Sequence, residues 1–77
     1  MAGKYNEVRE VLGEFPKQRG NKIVAAKLTD PDGKESFDLR LAYFDEKKEE
    51  WFLTQRGARI SGEDAKQLAD WIKQAFK

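Results

Sequence analysis

Between Phe37 and Ser61 the chain reads FDLRLAYFDEKKEEWFLTQRGARIS, and its opening residues alternate strictly. Phe37, Leu39, Leu41 and Tyr43 share one parity; Asp38, Arg40, Ala42 and Phe44 share the other. A period of two marks a strand with one face on a core and one face free. The apolar parity is expected to face the core. The other mixes a fixed cation with an aromatic ring, and is the face on which to look for function. The run Asp45–Glu50 (DEKKEE) is a solvated hairpin turn. Its lysines sit between the acids, so it is no oxygen cage for a hard cation. Trp51–Gln55 then reads as a fourth strand, and Arg56-Gly57-Ala58-Arg59 as a corner leading to a helix.

Upstream, Met1 to Lys4 reads as a frayed end. Tyr5 to Phe15 suits both a helix and a bent strand. Gly13 favours the strand, with a kink or bulge, because glycine weakens helices and is common where strands bend. Pro16–Asn21 is a loop by composition. Lys22 to Thr29 is a strand with Val24, Ala26 and Leu28 on the core face and Ile23, Ala25 and Lys27 opposite. Asp30-Pro31-Asp32-Gly33 is a turn signal: proline fixes φ at the first central position, and glycine accepts the positive φ that closes such turns. So short a connection predicts an antiparallel hairpin.

Ser61 opens the one clear helix, with its hydroxyl placed to cap the first turn and Glu63 and Asp64 at the positive helix end. Ala65, Leu68, Ala69, Trp71, Ile72, Ala75 and Phe76 fill an arc of about 160°, wider than the ~100° that one sheet requires. The surplus, with Trp71 at its edge, points to a second surface against another copy. The alternative is a monomer whose N-terminal strand or loop covers Trp71.

Seventy-seven residues make a single domain, residues 1–77, with a small core. A chain of this size buries only about 60% of its unfolded surface, and such domains often gain stability by oligomerising. Cysteine and histidine are both absent. Disulfides, thiol chemistry, zinc–thiolate sites and imidazole bases are thereby excluded. No cofactor or metal is implied, and the chain is expected not to be an enzyme. No apolar run approaches the roughly 20 residues of a membrane span, so a soluble intracellular protein is expected.

Net charge is +1, but its distribution is uneven. Pro16–Thr29 carries Lys17, Arg19, Lys22 and Lys27 and no acid; Trp51–Gly62 carries Arg56 and Arg59 and no acid. Such segregation lets a near-neutral protein present a positive surface. Single strands are held by basic grooves along phosphates and by rings on which bases stack. The strand faces offer Lys27, Arg40 and Arg56, with Arg59 close by, and the rings of Tyr43, Phe44, Trp51 and Phe52. At least half of the nine aromatic residues are nonetheless expected in the core.

Asp38-Leu39-Arg40, the aromatic Tyr43, the acidic turn, and Arg56-Gly57 leading through Ile60-Ser61 into an acid-capped helix together resemble the positive cofactor 4 family. These are single-stranded-DNA-binding transcriptional coactivators. The similarity covers roughly Lys22 to Phe76, and rests on the joint spacing of Asp-x-Arg and basic-Gly. It implies a strongly bent four-stranded antiparallel sheet followed by one C-terminal helix, dimerised through the helices. It also implies two sheet faces that grip single strands or a melted duplex. On that resemblance Arg40 is the Asp-x-Arg arginine, Tyr43 the stacking aromatic, Arg56 the basic residue before the corner glycine, Lys34 a hairpin lysine, and Asp38 the acid that orients them. This chain departs from the family pattern in having Phe52-Leu53 for Lys-Pro, Gln55 for a second cation and Ala58 for a larger aliphatic. Trp51, Phe52, Arg59 or the pair Lys17 and Arg19 are expected to compensate. Strict alternation conflicts with Tyr43 on the binding face, and a bulge or bend near the strand end would reconcile them.

The expectation is therefore an α+β homodimer of β-β-β-β-α subunits that binds single-stranded DNA non-specifically, in transcription regulation, replication or repair. Transcription or repair machinery are the further partners it implies. Lys22, Lys27, Lys34, Arg40, Tyr43, Trp51, Phe52, Gln55, Arg56 and Arg59 are assigned to nucleic acid; Leu68, Trp71, Ile72 and Ala75 to the dimer. Arg40→Ala and Arg56→Ala are each expected to weaken binding with the fold intact. The rivals are a dimeric protein–protein module using the aromatic sheet face and an RNA-binding domain. A minimal domain without an N-terminal regulatory tail is expected.

Overall fold

The computed structural model describes residues 7–76, so the expectations for Met1 to Lys4 and for Tyr5 lie outside the described residues. Four strands are followed by one helix: β1 (Val8–Pro16), β2 (Asn21–Thr29), β3 (Glu35–Asp45), β4 (Glu50–Ser61) and α1 (Gly62–Ala75). The sheet is a meander in the order β1-β2-β3-β4, and each neighbouring pair is antiparallel. The strand reading of the N-terminal segment, the two hairpins and the helix are as the sequence suggests.

Local chemistry accounts for the connections. In the β2–β3 turn the Asp30 carboxylate accepts the backbone N–H groups of Asp32 (3.0 Å) and Lys34 (2.9 Å), while Gly33 sits at φ +87°. Asp45 repeats the device in the β3–β4 turn by accepting from the Lys47 N–H at 2.9 Å. Arg19 and Gly20 turn the β1–β2 connection with positive φ, and the Gly20 carbonyl accepts from the Phe44 N–H at 2.9 Å. Ser61 caps α1 by accepting the Asp64 N–H at 3.1 Å.

Two bulges set which side chains share a face. Val11 pairs with Ala26 and Gly13 with Ala25, which leaves Leu12 as an extra residue in β1. One inserted residue exchanges the faces beyond it. Arg9 and Val11 therefore lie with Ala26 and Leu28, whereas Phe15 lies on the opposite face with Ile23 and Ala25. The second bulge corrects an expectation. Arg56-Gly57-Ala58-Arg59 is no corner: β4 runs on to Ser61, and the irregularity is Thr54-Gln55-Arg56 set against the single residue Leu41. The Thr54 hydroxyl donates to the Leu41 carbonyl (2.8 Å) and accepts the Arg56 N–H (3.1 Å), so the bulge satisfies part of its own backbone.

The core also lies where the alternation of β3 did not put it. Ala26 pairs with Asp38 and Val24 with Arg40, so the apolar parity of β2 shares a face with the polar parity of β3. This inner face holds the buried residues Val24, Ala26, Leu28, Ala42 and Asp38. Phe37, Leu39 and Leu41 lie on the outer face and are only half-buried, and Tyr43 is exposed. The reason is that side chains from the edges reach across the inner face. Arg9 of β1 crosses β2 to Asp38 on β3, and Arg59 of β4 reaches Ser36 and Glu7, the residue before β1. β1 and β4 are the two outer strands, three spacings or about 14 Å apart in a flat sheet. Their tie across the inner face requires a curled sheet, and the arginine stems roof the small apolar residues beneath.

The helix lies against the outer face, over Phe37 and Leu39. With Phe15 and Ala25 it bounds an apolar groove of about 460 Å³ lined from above by Ala65, Leu68, Ala69 and Ile72. No described helix residue is buried.

Candidate nucleic-acid interface

The inner face joins a charged cluster to an aromatic one. Asp38 is wholly buried, in the middle of β3. Arg40 donates to both of its oxygens, through Nη2 to Oδ1 and Nε to Oδ2, and Arg9 Nη2 donates to Oδ2 at 3.1 Å. The remaining Arg40 nitrogen, Nη1, donates to the Gln55 carbonyl at the β4 bulge (3.1 Å). The guanidinium is thus fixed at all three nitrogens. Its bond to Asp38 holds that carboxyl below the usual carboxylate range against the opposing effect of burial, with Arg9 adding to it; in return Asp38 raises Arg40.

Toward the hairpin end of the same face stands Trp51, opposite Phe44 with ring centroids 5.4 Å apart and edge to face. Lys22 Nζ lies 4.1 Å from the Trp51 ring centre and 3.1 Å from a Glu14 oxygen. Trp51 keeps 42% of its surface exposed, enough to offer a flat ring to an incoming base. Cation, ring and fixed guanidinium follow one another along a single face, which is the combination single-strand binding uses.

Not all the sequence-assigned residues meet there. Lys22, Arg40, Trp51 and Arg59 are on the inner face. Lys27, Tyr43 and Phe52 are on the outer face: Lys27 is paired to Glu35 at 3.1 Å, which raises its pKa, and Tyr43 stacks on Phe52 with centroids 5.8 Å apart. Lys48 Nζ approaches that second ring pair, 5.4 Å from the Phe52 centre. Tyr43 pairs directly with Phe52 and Phe44 with Trp51, so no bulge in β3 brings Tyr43 beside Arg40. The reconciliation expected from the sequence does not occur, because the irregularity lies in β4. Lys34 stands in the β2–β3 turn, and Gln55 and Arg56 are exposed on the bulge. Of the residues assigned from the sequence to a dimer contact, Leu68 and Ile72 line the groove, and Trp71 is 59% exposed. The alternative in which Trp71 is covered within one chain is not what the described residues show.

Sequence reasoning passed over Arg9, and named Phe44 among the candidate rings without assigning it to nucleic acid. Phe44 was legible as the inner-parity ring. Arg9 was not, because its place depends on the Leu12 bulge.

Among the described residues there is no group of three or more acidic side chains able to hold a metal ion, and no helix long and apolar enough to cross a membrane. Comparison with known family models, with curated proteins and with solved structures finds no match for this chain.

Proposed function

We propose that the protein is a homodimeric single-stranded-DNA-binding domain without enzymatic activity, in which each inner face takes one strand by base stacking and phosphate contact. The observation that carries this reading is the exposed Trp51 ring with Lys22 above it, on the same face as the fixed Arg40 guanidinium. Stacking on such a ring is worth about 1–3 kcal/mol per base and has little sequence preference. The resemblance to the positive cofactor 4 family supports the same reading, and gives transcription, replication or repair as its setting inside the cell. The exposed side chains of Trp71 on the helix and Phe76 at its C-cap, together with the apolar groove, support pairing through the helices.

The test is a mobility shift with oligo-dT and with duplex DNA at two salt concentrations, comparing wild type with Trp51→Ala and Arg56→Ala. Arg40 is a poorer probe, since its removal also strips the buried Asp38 carboxylate of its main partner. Single-strand preference, steep salt dependence and at least a fivefold loss for Trp51→Ala, on the order of 1 kcal/mol, are expected. Equal binding of all three proteins would sink the assignment. The pairing of Lys22 and Arg59 with acids favours, as a second reading, a peptide docked on the aromatic face. Peptide docking would be nearly insensitive to salt, whereas phosphate binding is not.

A further inference from the structure

The charges on the inner face do not balance, and the surplus sits at one place. Lys22 is held by Glu14 and Arg59 by Glu7, but Asp38 alone serves both Arg9 and Arg40. Two guanidinium groups on one carboxylate leave a positive charge over. Arg40 already engages both Asp38 oxygens, so the buried acid does not need Arg9 to be satisfied. Arg9 spends only Nη2 on it; among the described residues its Nε and Nη1 have no acceptor, and 33% of its side chain is exposed. Guanidinium N–H pairs match the oxygens of a phosphate, and donors already fixed in place lose little freedom on binding.

We infer that Arg9 and Arg40, held together by the shared Asp38 carboxylate, form a seat for one phosphodiester group, with Arg9 supplying the open donors. The inference rests on the single-strand reading of this face and extends it to β1. The Leu12 bulge is what makes it possible, because it lets Arg9 share the inner face while Phe15 serves the outer one. Arg9 is a binding residue in this account, and Asp38 a positioning residue that sets the spacing.

Arg9→Gln keeps a donor for Asp38 but removes the charge, and Arg9→Lys keeps the charge. Oligo-dT affinity is measured for both and for wild type by fluorescence anisotropy from about 50 to about 200 mM salt. Loss of one phosphate contact flattens the salt slope by ~0.7, so the wild-type advantage over Arg9→Gln shrinks about 2.6-fold across that range; Arg9→Lys keeps the wild-type slope. An Arg9→Gln protein with wild-type slope overturns the seat, whether its affinity is unchanged or falls equally at every salt concentration. A second readout does not depend on DNA: the Arg9 Nε–H resonance of the wild type, followed by NMR during titration with dimethyl phosphate, shifts saturably. If oligo-dT fails to bind while dimethyl phosphate still shifts Arg9, the single-strand reading falls and the anion seat stands. No shift of Arg9 overturns the seat whatever the DNA result.

Discussion

At Gly57 a single methyl group decides whether β4 can pair with β3. The residue has φ +147°, and a Cβ there would lie 2.0 Å from the Leu39 carbonyl oxygen and 2.9 Å from Arg40 Cα. Both obstacles are backbone, so neither can swing aside. Gly57→Ala is expected to cost about 3 kcal/mol, the upper end for a strained backbone position, read as a lower denaturation midpoint in urea. A midpoint within experimental error of wild type would show that β4 takes another path beside Arg40. Asp38 poses the complementary question, since here a charge rather than a volume is at stake. Its pKa is depressed, chiefly by the Arg40 hydrogen bond and further by Arg9. A depressed carboxylate stabilises the fold fully above its unfolded pKa of about 3.9, and that stability is lost as pH falls through the lower folded value. Asp38→Asn is thus expected to cost about 3 kcal/mol near neutral pH, as breaking a buried pair does. Its melting-temperature gap to wild type should hold from about pH 7 to pH 5 and narrow below about pH 4. A gap that persists unchanged to about pH 2 would mean that the ionised carboxylate contributes nothing particular.

The elements were legible wherever they are specified by their own residues. Asp30-Pro31-Asp32-Gly33 folds as its side chains dictate, and Ser61 caps α1 as its position suggests. Ser61→Ala should therefore lower stability by about 1 kcal/mol. Because the capped helix meets the sheet only along the groove, the loss should show as fraying of α1, with faster amide exchange in its first turn and little change in β2. Uniformly faster exchange throughout the chain would instead show that sheet and helix unfold as one unit. What stayed illegible was the relation between elements. Alternation within β3 separates Asp38 and Arg40 from Phe37 and Leu39, but it carries no information on which face β2 will match. Val24 opposite Arg40 and Ala26 opposite Asp38 follow from hairpin register, a property of two strands and the turn between them. The same holds for the candidate site. Arg40 and Trp51 were found from their own strands, whereas Arg9 enters only through the Leu12 bulge, and Tyr43 is excluded only because the second bulge falls in β4. Threonine, glutamine and arginine at that bulge have no composition that marks it off from an ordinary strand.

As a whole the described chain is a slab, 41 × 40 × 17 Å, with a Cα radius of gyration of 14.5 Å. A compact chain of this length would have a radius of about 11–12 Å. Its buried apolar side chains are Val24, Ala26, Leu28 and Ala42, two of them alanines, while Ile72 and Trp71 on the helix and Phe76 at its C-cap stand 49%, 59% and 81% exposed. Full burial of a large apolar side chain is worth about 1.5–3 kcal/mol, so covering these three offers more than the small core has to spare. A second copy brings the same surface, and a two-fold axis would let each helix meet the other while each groove receives apolar side chains from its partner. Sedimentation equilibrium at micromolar concentration should therefore give twice the 8.9 kDa chain mass. Ile72→Glu should weaken association at least 100-fold, about 3 kcal/mol, because it places an unpaired carboxylate where an apolar contact formed. If each inner face holds part of one oligonucleotide, the same substitution should weaken binding of a long oligo-dT far more than of a short one, since only the long strand spans two linked sites. A wild-type protein that sediments at the single-chain mass, with a melting temperature independent of concentration, would leave the exposed helix without its partner and confine binding to one inner face.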